Sequence, residues 1–241
     1  MINAKQNMLD ARQKTSFVSN VSHELKTPLT SIRMFAELLL EKRVDDQDKK
    51  DKYLGIIVSE SRRLTRLVNN VLDFSRLEQG KKKYHIEAID LISFFNEIIE
   101  FHKPRLKDNN MKTSLDFPEK NIVIKTDRDA MEQVILNLMD NAIKYASDGG
   151  EISLSMDADE NKVEIRIEDR GPGIPEAHRN KIFDKFHRVD DSLTATKQGA
   201  GLGLSIAKRM LEDIGGSLSY APRQGGGSCF TVKVPTNQHS L

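Results

Sequence analysis

The chain has 241 residues, a length that favours two domains over one. Hydrophobic residues make up 38% and charged residues 30% of it, which predicts a soluble protein with a modest core and much exposed helix. With 37 basic and 36 acidic side chains the net charge is +1, so the composition excludes an electrostatic surface for nucleic acid. The single Cys229 excludes an internal disulfide and fits a reducing compartment, and no apolar run approaches the roughly 20 residues of a membrane span.

Apolar or small side chains recur at alternating steps of three and four residues between Val18 and Leu39. This spacing predicts a helix over about residues 14–43 that packs lengthwise against other helices. His23 falls at the position furthest from the apolar seam, and Thr27 follows one turn later on the same exposed face, beside Glu24. Taken alone, His23 is better explained as a surface histidine of a coiled-coil helix. A solvent-facing imidazole is, however, also a ready phosphoryl acceptor.

A second helix is predicted after the charged turn at 45–48, again with a single apolar stripe. The stripe contains Leu54, Ile57, Ser61, Leu64, Val68 and Val71. Two amphipathic helices joined by a short loop form an antiparallel hairpin. One hairpin cannot cover both of its own stripes, but two hairpins can do so as a four-helix bundle, which predicts a symmetric homodimer. The alternative is a monomer whose stripes are covered by the second domain.

From Tyr84 onward, short β-type runs alternate with helical ones. The strand candidates are 84–88, 111–117, 121–126, 151–157, 162–169, 216–221 and 228–234. The helix candidates are 90–108, 129–146 and 202–214. This order predicts an α+β sandwich, in which a mixed sheet is covered by helices on one face.

The predicted helix 129–146, with Asp129 as its N-cap, carries a polar group on one face. Asn137 and Asn141 are four residues apart, and Lys144 is one turn beyond Asn141. Carboxamide oxygens suit Mg²⁺, and a lysine neutralises a phosphate. If the pair is considered alone, two exposed asparagines are the default explanation.

Glycine-rich stretches flank a long segment further along the chain. Asp169 ends a predicted strand before Gly171 and Gly173, where a nucleotide base can approach the backbone and the carboxylate can accept from an amino group. Residues 199–204 open a helix whose N-terminal N–H groups suit phosphate. The segment 174–198 between them is predicted to close over ligand as a lid. Each signal alone is also explained by ordinary turn chemistry.

In combination, these motifs resemble those of bacterial sensor histidine kinases. Residues 22–29, Ser-His-Glu-Leu-Lys-Thr-Pro-Leu, resemble the phospho-acceptor box, and 137–145 resemble the asparagine box. The other matching boxes are Asp169 to Gly173, Phe183 to Phe186, Gly199 to Gly203 and Gly225 to Gly227. The resemblance implies a helical lead-in over 1–13, a dimerisation and phosphotransfer domain over 14–80, and a catalytic ATP-binding domain of Bergerat fold over 81–241.

The resemblance also implies ATP and Mg²⁺ as ligands, with the metal at Asn141. The residues that it assigns to nucleotide are Asn137, Asn141, Lys144, Tyr145, Asp169, Gly171, Gly173, Ile174, Phe186, Arg188, Gly199, Gly201, Leu202, Gly203, Leu204 and Thr231. His23 would accept the phosphoryl group and Glu24 would take the ring's other proton. Thr27 would orient water in a reverse, phosphatase reaction. The phosphoryl group would pass to an aspartate of a response regulator.

Two competing functions belong to different classes. Related Bergerat-fold ATPases look to have a glutamate base where this chain has Asn137, and an amide cannot take a proton from water, so direct hydrolysis should be slow. A kinase that binds nucleotide without transferring phosphate would be a regulatory module, although the intact motifs count against it. The resemblance further implies a cytoplasmic location, with a sensor and membrane segment outside this chain. Whether transfer occurs within one subunit or across the dimer depends on the turn at 44–48.

Overall fold

Two long helices form the N-terminal part of the molecule. The computed structural model describes residues 2–41, 46–146, 150–189 and 201–236. Helix α1 covers Ile2–Leu40 and α2 covers Gln47–Glu78, and they pack against each other as a hairpin. The α2 helix begins where the Asp46 carboxylate accepts a hydrogen bond from the N–H of Asp48, which satisfies a helix-end donor. Among the described residues, no helix has both the length and the apolar character needed to cross a bilayer.

The C-terminal part is a mixed sheet with helices, as the sequence predicted. Its elements are β1 (Ile86–Asp90), α3 (Leu91–Asp108), β2 (Lys112–Asp116), β3 (Val123–Asp127), α4 (Arg128–Ala146), β4 (Glu151–Ala158), β5 (Lys162–Asp169), α5 (Glu176–Arg179), α6 (Gly203–Asp213), β6 (Ser217–Pro222) and β7 (Ser228–Pro235). The main sheet has the order β2-β4-β5-β7-β6, in which β2 is parallel to β4 and the other pairs are antiparallel. The strands β1 and β3 form a separate antiparallel pair.

The core lies between one face of the main sheet and the helices. Every second residue of β5 is buried, beginning with Val163 and ending with Asp169, and the residues between them are more exposed. The β7 strand alternates in the same way, with Phe230 and Val232 buried. Since successive side chains of a strand point to opposite faces, Asp169 lies on the helix-covered face of the sheet. This places its carboxylate at the edge of the core, where a ligand can approach between sheet and helices.

The N-terminus of α4 differs from the sequence prediction. The helix begins at Arg128, and the Oδ1 atom of Asp127 accepts from the N–H of Ala130 at 2.7 Å. The prediction of Asp129 as the N-cap was therefore wrong. Because β3 runs directly into α4, the last strand residue is the one whose carboxylate reaches the first free helical N–H.

The C-terminal half of α2 docks on the second domain along one face. Four side chains spaced four residues apart make the polar and aromatic contacts: Arg66, Asn70, Phe74 and Glu78. Their partners are, in the same order, Asp140, Gln133, Phe186 and Lys185. The partners belong to α4 and to the segment after α5, so this stripe brings the hairpin beside the elements that carry the nucleotide motifs.

Candidate active site

His23 is exposed on α1, on the face that the heptad pattern assigned to solvent. The hydroxyl of Thr27, one turn further, donates a hydrogen bond to the carbonyl oxygen of His23 at 3.2 Å. Thr27 is half-buried, whereas the sequence placed it on the exposed face. The imidazole itself is open to an incoming phosphoryl group.

Glu24 points the other way, into the protein. Only 5% of the residue is exposed, and its carboxylate forms two ion pairs with arginines. The Oε2 atom lies 3.3 Å from the guanidinium of Arg63 on α2, and Oε1 lies 3.6 Å from that of Arg188, after the phenylalanine box. The sequence did not indicate Arg63, because the pairing depends on how the two hairpin helices face each other.

Asp169 is held at the end of β5 by backbone groups. It is 6% exposed, and its Oδ1 atom accepts from the N–H of Gly171 at 2.8 Å and from the N–H of Ser228 at 3.2 Å. Both bonds fall on one oxygen and orient the carboxylate, which leaves Oδ2 as the acceptor for the amino group of a base. Ser228 follows the third glycine box, and the sequence prediction did not include it.

Glycines allow three chain segments to meet around Asp169. A Cβ on Gly171 would lie 2.8 Å from the Cβ of Ala146 at the end of α4, and a Cβ on Gly227 would lie 2.0 Å from the carbonyl oxygen of Asp169. Gly227 also has φ of +108°, a conformation that disfavours other residues. Gly173, with φ of +70°, lies against the carbonyl of Gly227. The first and third glycine boxes therefore form one structural unit.

Asn137 contacts the N-terminus of α6. A Cβ on Gly203 would come within 3.3 Å of the Oδ1 atom of Asn137. The Nδ2 atom of Asn137 is buried and has no hydrogen-bond partner among the described residues, a costly arrangement that a ligand oxygen would relieve. The first turn of α6 has no side-chain cap, and Leu202, at its N-cap, is buried. Its backbone N–H groups and the Asn137 amide thus form a fitting cradle for phosphate.

Asn141 lies one turn after Asn137 and is half-buried, in the half of α4 nearer its C-terminus. The ammonium group of Lys144 sits 4.6 Å from the ring centroid of Tyr145, and both residues follow Asn141 in the last turns of α4. Within the described ranges no cluster of three or more histidine, cysteine or acidic side chains forms a metal site. A single carboxamide oxygen still suits Mg²⁺, because this ion takes most of its ligands from water and phosphate oxygens.

The described part of the segment between the two glycine boxes is held at two points, Ile174 and Phe186. Phe186 has φ of +68°, and its N–H donates to the carbonyl oxygen of Gly201 at 3.0 Å. A Cβ on Gly201 would lie only 2.9 Å from the carbonyl carbon of Phe186, so glycine is required there. The N–H of Ile174 donates to the hydroxyl of Tyr220 at 3.1 Å. Gly199 and residues 190–198 of the predicted lid lie outside the described residues.

Two other predicted residues have clear positions. Leu204 is half-buried in the first turn of α6, near the phosphate cradle. Thr231 pairs across the sheet with Arg166 of β5, whose side chain is on the face opposite to Asp169. The structure therefore does not bring Thr231 to Asp169. Because side chains alternate along β7, Ser228 and Phe230 instead lie on the helix-covered face.

Comparison with known proteins gives two family matches in the order of the two structural parts. The model described as His Kinase A (phospho-acceptor) domain matches residues 13–80. The model described as Histidine kinase-, DNA gyrase B-, and HSP90-like ATPase matches residues 126–238. The first match contains His23 and the second contains Asn137, Asn141 and Asp169.

Curated relatives and solved structures extend over most of the chain. Sensor histidine kinase WalK of Bacillus subtilis is 34% identical over 226 residues, which is 93% of this chain and 37% of WalK. Sensor protein SrrB of Staphylococcus aureus is 34% identical over 224 residues, 93% of this chain and 38% of SrrB. This chain thus spans less than two fifths of the length of these relatives.

Among solved structures, the histidine kinase ThkA in complex with the response regulator protein TrrA is similar, with a TM-score of 0.68 and 26% identity. That likeness covers 91% of this chain and 61% of the other. Full-length ShkA in complex with AMPPNP has a TM-score of 0.66 and 25% identity, over 92% of this chain and 46% of ShkA. The chain belongs to the sensor histidine kinases of two-component systems, and it contains the phospho-acceptor and ATP-binding regions of that family.

Proposed function

We propose that this chain transfers the γ-phosphoryl group of ATP to His23 and then to an aspartate of a response regulator. The observation that carries the proposal is that one chain contains an exposed imidazole at His23, a carboxylate held by backbone N–H groups at Asp169, and a buried amide at Asn137 that lacks a partner among the described residues. A neutral ring nitrogen of His23 attacks the γ-phosphorus, a P–N bond forms, and the bond to the ADP oxygen breaks. Such a transfer needs mainly positioning and charge neutralisation.

The nucleotide would lie between Asp169 and the N-terminus of α6. Oδ2 of Asp169 would accept from the adenine amino group, and the backbone around Gly201 and Gly203 would donate to the phosphates. The side-chain oxygen of Asn141 would help to hold Mg²⁺, which would supply positive charge to offset the negative charge of the phosphates. The buried Nδ2 of Asn137 would gain the partner that it lacks among the described residues.

Transfer to a side chain is favoured over direct hydrolysis of ATP. A hydrolase needs a base that removes a proton from water, and the carboxamide of Asn137, next to α6, cannot serve as one. His23, in contrast, is a nucleophile that needs only to lose or share its second ring proton. Glu24 would accept that proton after breaking the ion pair with one of its arginine partners.

We also propose that residues 14–80 form a homodimer through a four-helix bundle, with 81–241 as the ATP-binding domain. The support is that the hairpin leaves apolar side chains exposed on both helices, for example Val18 at 61% and Leu54 at 51%. The complete protein would be a longer, membrane-anchored sensor whose cytoplasmic portion includes this chain, consistent with the greater length of the relatives.

Thr27 would support the reverse reaction, dephosphorylation of the regulator, by orienting a water molecule. Thr27 is one turn from His23 on α1, and its hydroxyl donates to the carbonyl oxygen of His23. Thr27→Ala should leave autophosphorylation intact and slow dephosphorylation of the phosphorylated regulator. Equal rates for the variant and the wild type would refute this role.

The central experiment is incubation of the full chain with γ-labelled ATP and Mg²⁺. We expect acid-labile, base-stable label, as a phosphohistidine gives, and its loss in His23→Gln. His85→Gln is the matched control, because His85 lies in the segment leading into β1, and it should label normally. Acid-stable label, or label that survives His23→Gln, would contradict the proposed function.

A further inference from the structure

Two histidines meet between α5 and the segment that contains the phenylalanine box. The Nδ1 atom of His178 lies 3.0 Å from the Nε2 atom of His187, and the two ring centroids are 5.2 Å apart. A hydrogen bond between two imidazoles needs an acceptor, so at least one of the facing nitrogens carries no proton and offers its lone pair. Each ring therefore presents a nitrogen to the same small space.

The spacing of these two nitrogens is close to that of a metal site. Zn²⁺ binds imidazole nitrogen at about 2.0–2.1 Å, so two such bonds at a tetrahedral angle place the nitrogens about 3.3 Å apart. The two rings need to separate by only about 0.3 Å and to tilt in order to receive the ion. The proton of the donating nitrogen moves to the other nitrogen of the same ring, so binding changes the tautomer without loss of a proton.

The surroundings of the pair fit an ion that keeps part of its water. Both side chains are half-buried, so water reaches the space between them. In the described part of the chain, no group of three or more histidine, cysteine or acidic side chains could hold a metal, so the ion would take two protein ligands and complete its coordination with water. Imidazole suits Zn²⁺, Cu²⁺ and Ni²⁺, whereas Mg²⁺ prefers oxygen, so this site differs in its ligands from the magnesium site proposed at Asn141.

The arginines next to the two histidines have oxygen partners of their own. The Nε atom of Arg179 donates to the carbonyl oxygen of Ile174 at 3.0 Å, and the guanidinium of Arg188 lies 3.6 Å from the carboxylate of Glu24. These oxygens offset part of the positive charge, which reduces the repulsion that a bound cation would meet.

The pair lies near the two points that hold this segment to the rest of the domain. His178 is four residues after Ile174, and His187 directly follows Phe186, whose N–H donates to the carbonyl oxygen of Gly201 at 3.0 Å. An ion bound to both rings would therefore cross-link α5 to the part of the chain that contacts the residues before α6.

We propose that His178 and His187 bind a divalent transition-metal ion, with Zn²⁺ as the probe, and that the ion joins α5 to the segment after it. Binding requires neither nucleotide nor phosphoryl transfer. The proposal therefore goes beyond the proposed function, and each can fail without the other.

The test is isothermal titration calorimetry of the full chain with zinc chloride, in the absence of nucleotide. With two protein ligands rather than four, we expect one ion per chain at a dissociation constant on the order of 10 μM. His178→Gln or His187→Gln should weaken binding at least about tenfold, because each removes one of the two ligands. The matched control is His102→Gln, since His102 is a half-buried histidine on α3, and it should bind Zn²⁺ as wild type does.

A second measurement follows the melting temperature. At ten times the dissociation constant, Zn²⁺ should raise the melting temperature of wild type by about 3–5 °C and leave that of either pair variant unchanged. Circular dichroism without zinc checks that the variants keep their helix content. If a variant loses its fold, nitrogen NMR of the wild-type histidine rings decides, because coordination shifts the resonances of the two facing nitrogens.

Three results would overturn the site. They are a wild-type dissociation constant above about 1 mM, equal binding by wild type and a folded pair variant, and ring-nitrogen resonances of His178 and His187 that do not move with Zn²⁺.

Discussion

The hairpin and the ATP-binding region differ in where their apolar side chains lie. In the region from β1 to β7, most large apolar side chains are buried between the sheet and the helices. Among the described side chains of the hairpin, Leu77 is the only large hydrophobic one that is fully buried. Several others remain about half or more exposed: Val18, Leu29, Met34, Leu40, Leu54, Val58, Val68 and Leu72. One region completes its own core, whereas the other has a surface that a second copy would cover.

The comparison is tested most strongly by removing the apolar surface of α2. Leu54 and Leu72 are about half exposed, so burying the remainder in a dimer contributes about 1 kcal/mol each, and a symmetric pair contains each twice. We expect Leu54→Ser with Leu72→Ser to weaken dimerisation by about 4 kcal/mol. Sedimentation over a concentration series measures this change.

The control is Leu115→Ser, since Leu115 is 42% exposed on β2, outside the hairpin. It should leave the association state unchanged. A double leucine variant that dimerises as wild type does would show that the hairpin surface has another role.

The self-contained core of the ATP-binding region is tested at Gly227. An added Cβ would meet the carbonyl oxygen of Asp169 at 2.0 Å on a backbone with φ of +108°. We expect Gly227→Ala to lower the free energy of unfolding of this region by about 3 kcal/mol, through steric clash and backbone strain. Thermal unfolding followed by near-ultraviolet circular dichroism reports it.

Gly225→Ala separates strain from clash. Gly225 has φ of +83°, but nothing lies within 4 Å of its Cβ position, so the expected loss is only about 1 kcal/mol. Equal losses for the two variants would mean that the contact between the first and third glycine boxes does not limit stability.

Substitution of Asn141 tests whether the ATP-binding region can lose its function while the hairpin keeps the dimer. Asn141→Ala removes the proposed Mg²⁺ ligand, and autophosphorylation should fall by about a hundredfold, whereas the dimer should persist. Asn161→Ala, in the turn between β4 and β5, is the control and should label normally.

Mixing Asn141→Ala with His23→Gln chains and measuring label would show whether transfer crosses the dimer. Full labelling by Asn141→Ala alone would remove this residue from the metal site.

The smallest expected effect is a pH dependence that belongs to the ATP-binding region. Burial, with Arg105 nearby, lowers the pKa of His102 below its usual value. Below about pH 6.5 the unfolded chain protonates His102 more readily than the folded chain does, so the free energy of unfolding decreases as the pH falls. His102→Gln should flatten the dependence of the unfolding free energy between pH 7 and pH 5. A variant with the wild-type slope would contradict the assignment.

Much of the fold and part of the site follow from local patterns. The three-four spacing of the hairpin and the change of period at Tyr84 predicted the helices and strands, because each pattern reflects which face of one element is buried. Asp169 and the glycine boxes were recognisable because their chemistry is contained in short sequence stretches. The prediction of Asp129 as a cap failed, since two aspartates near a strand–helix junction look alike until the chain direction at the junction is known.

The sequence by itself determined which elements form, which faces are apolar and that His23 is displayed to solvent. These properties depend on residue type and spacing along one element. The tertiary structure decided that Ser228 rather than Thr231 reaches Asp169, and that Glu24 is shared between Arg63 and Arg188. Those pairings join residues far apart in the chain: Arg63 is 39 positions from Glu24, and Ser228 is 59 positions from Asp169. No local periodicity encodes them, because they depend on how separate elements pack.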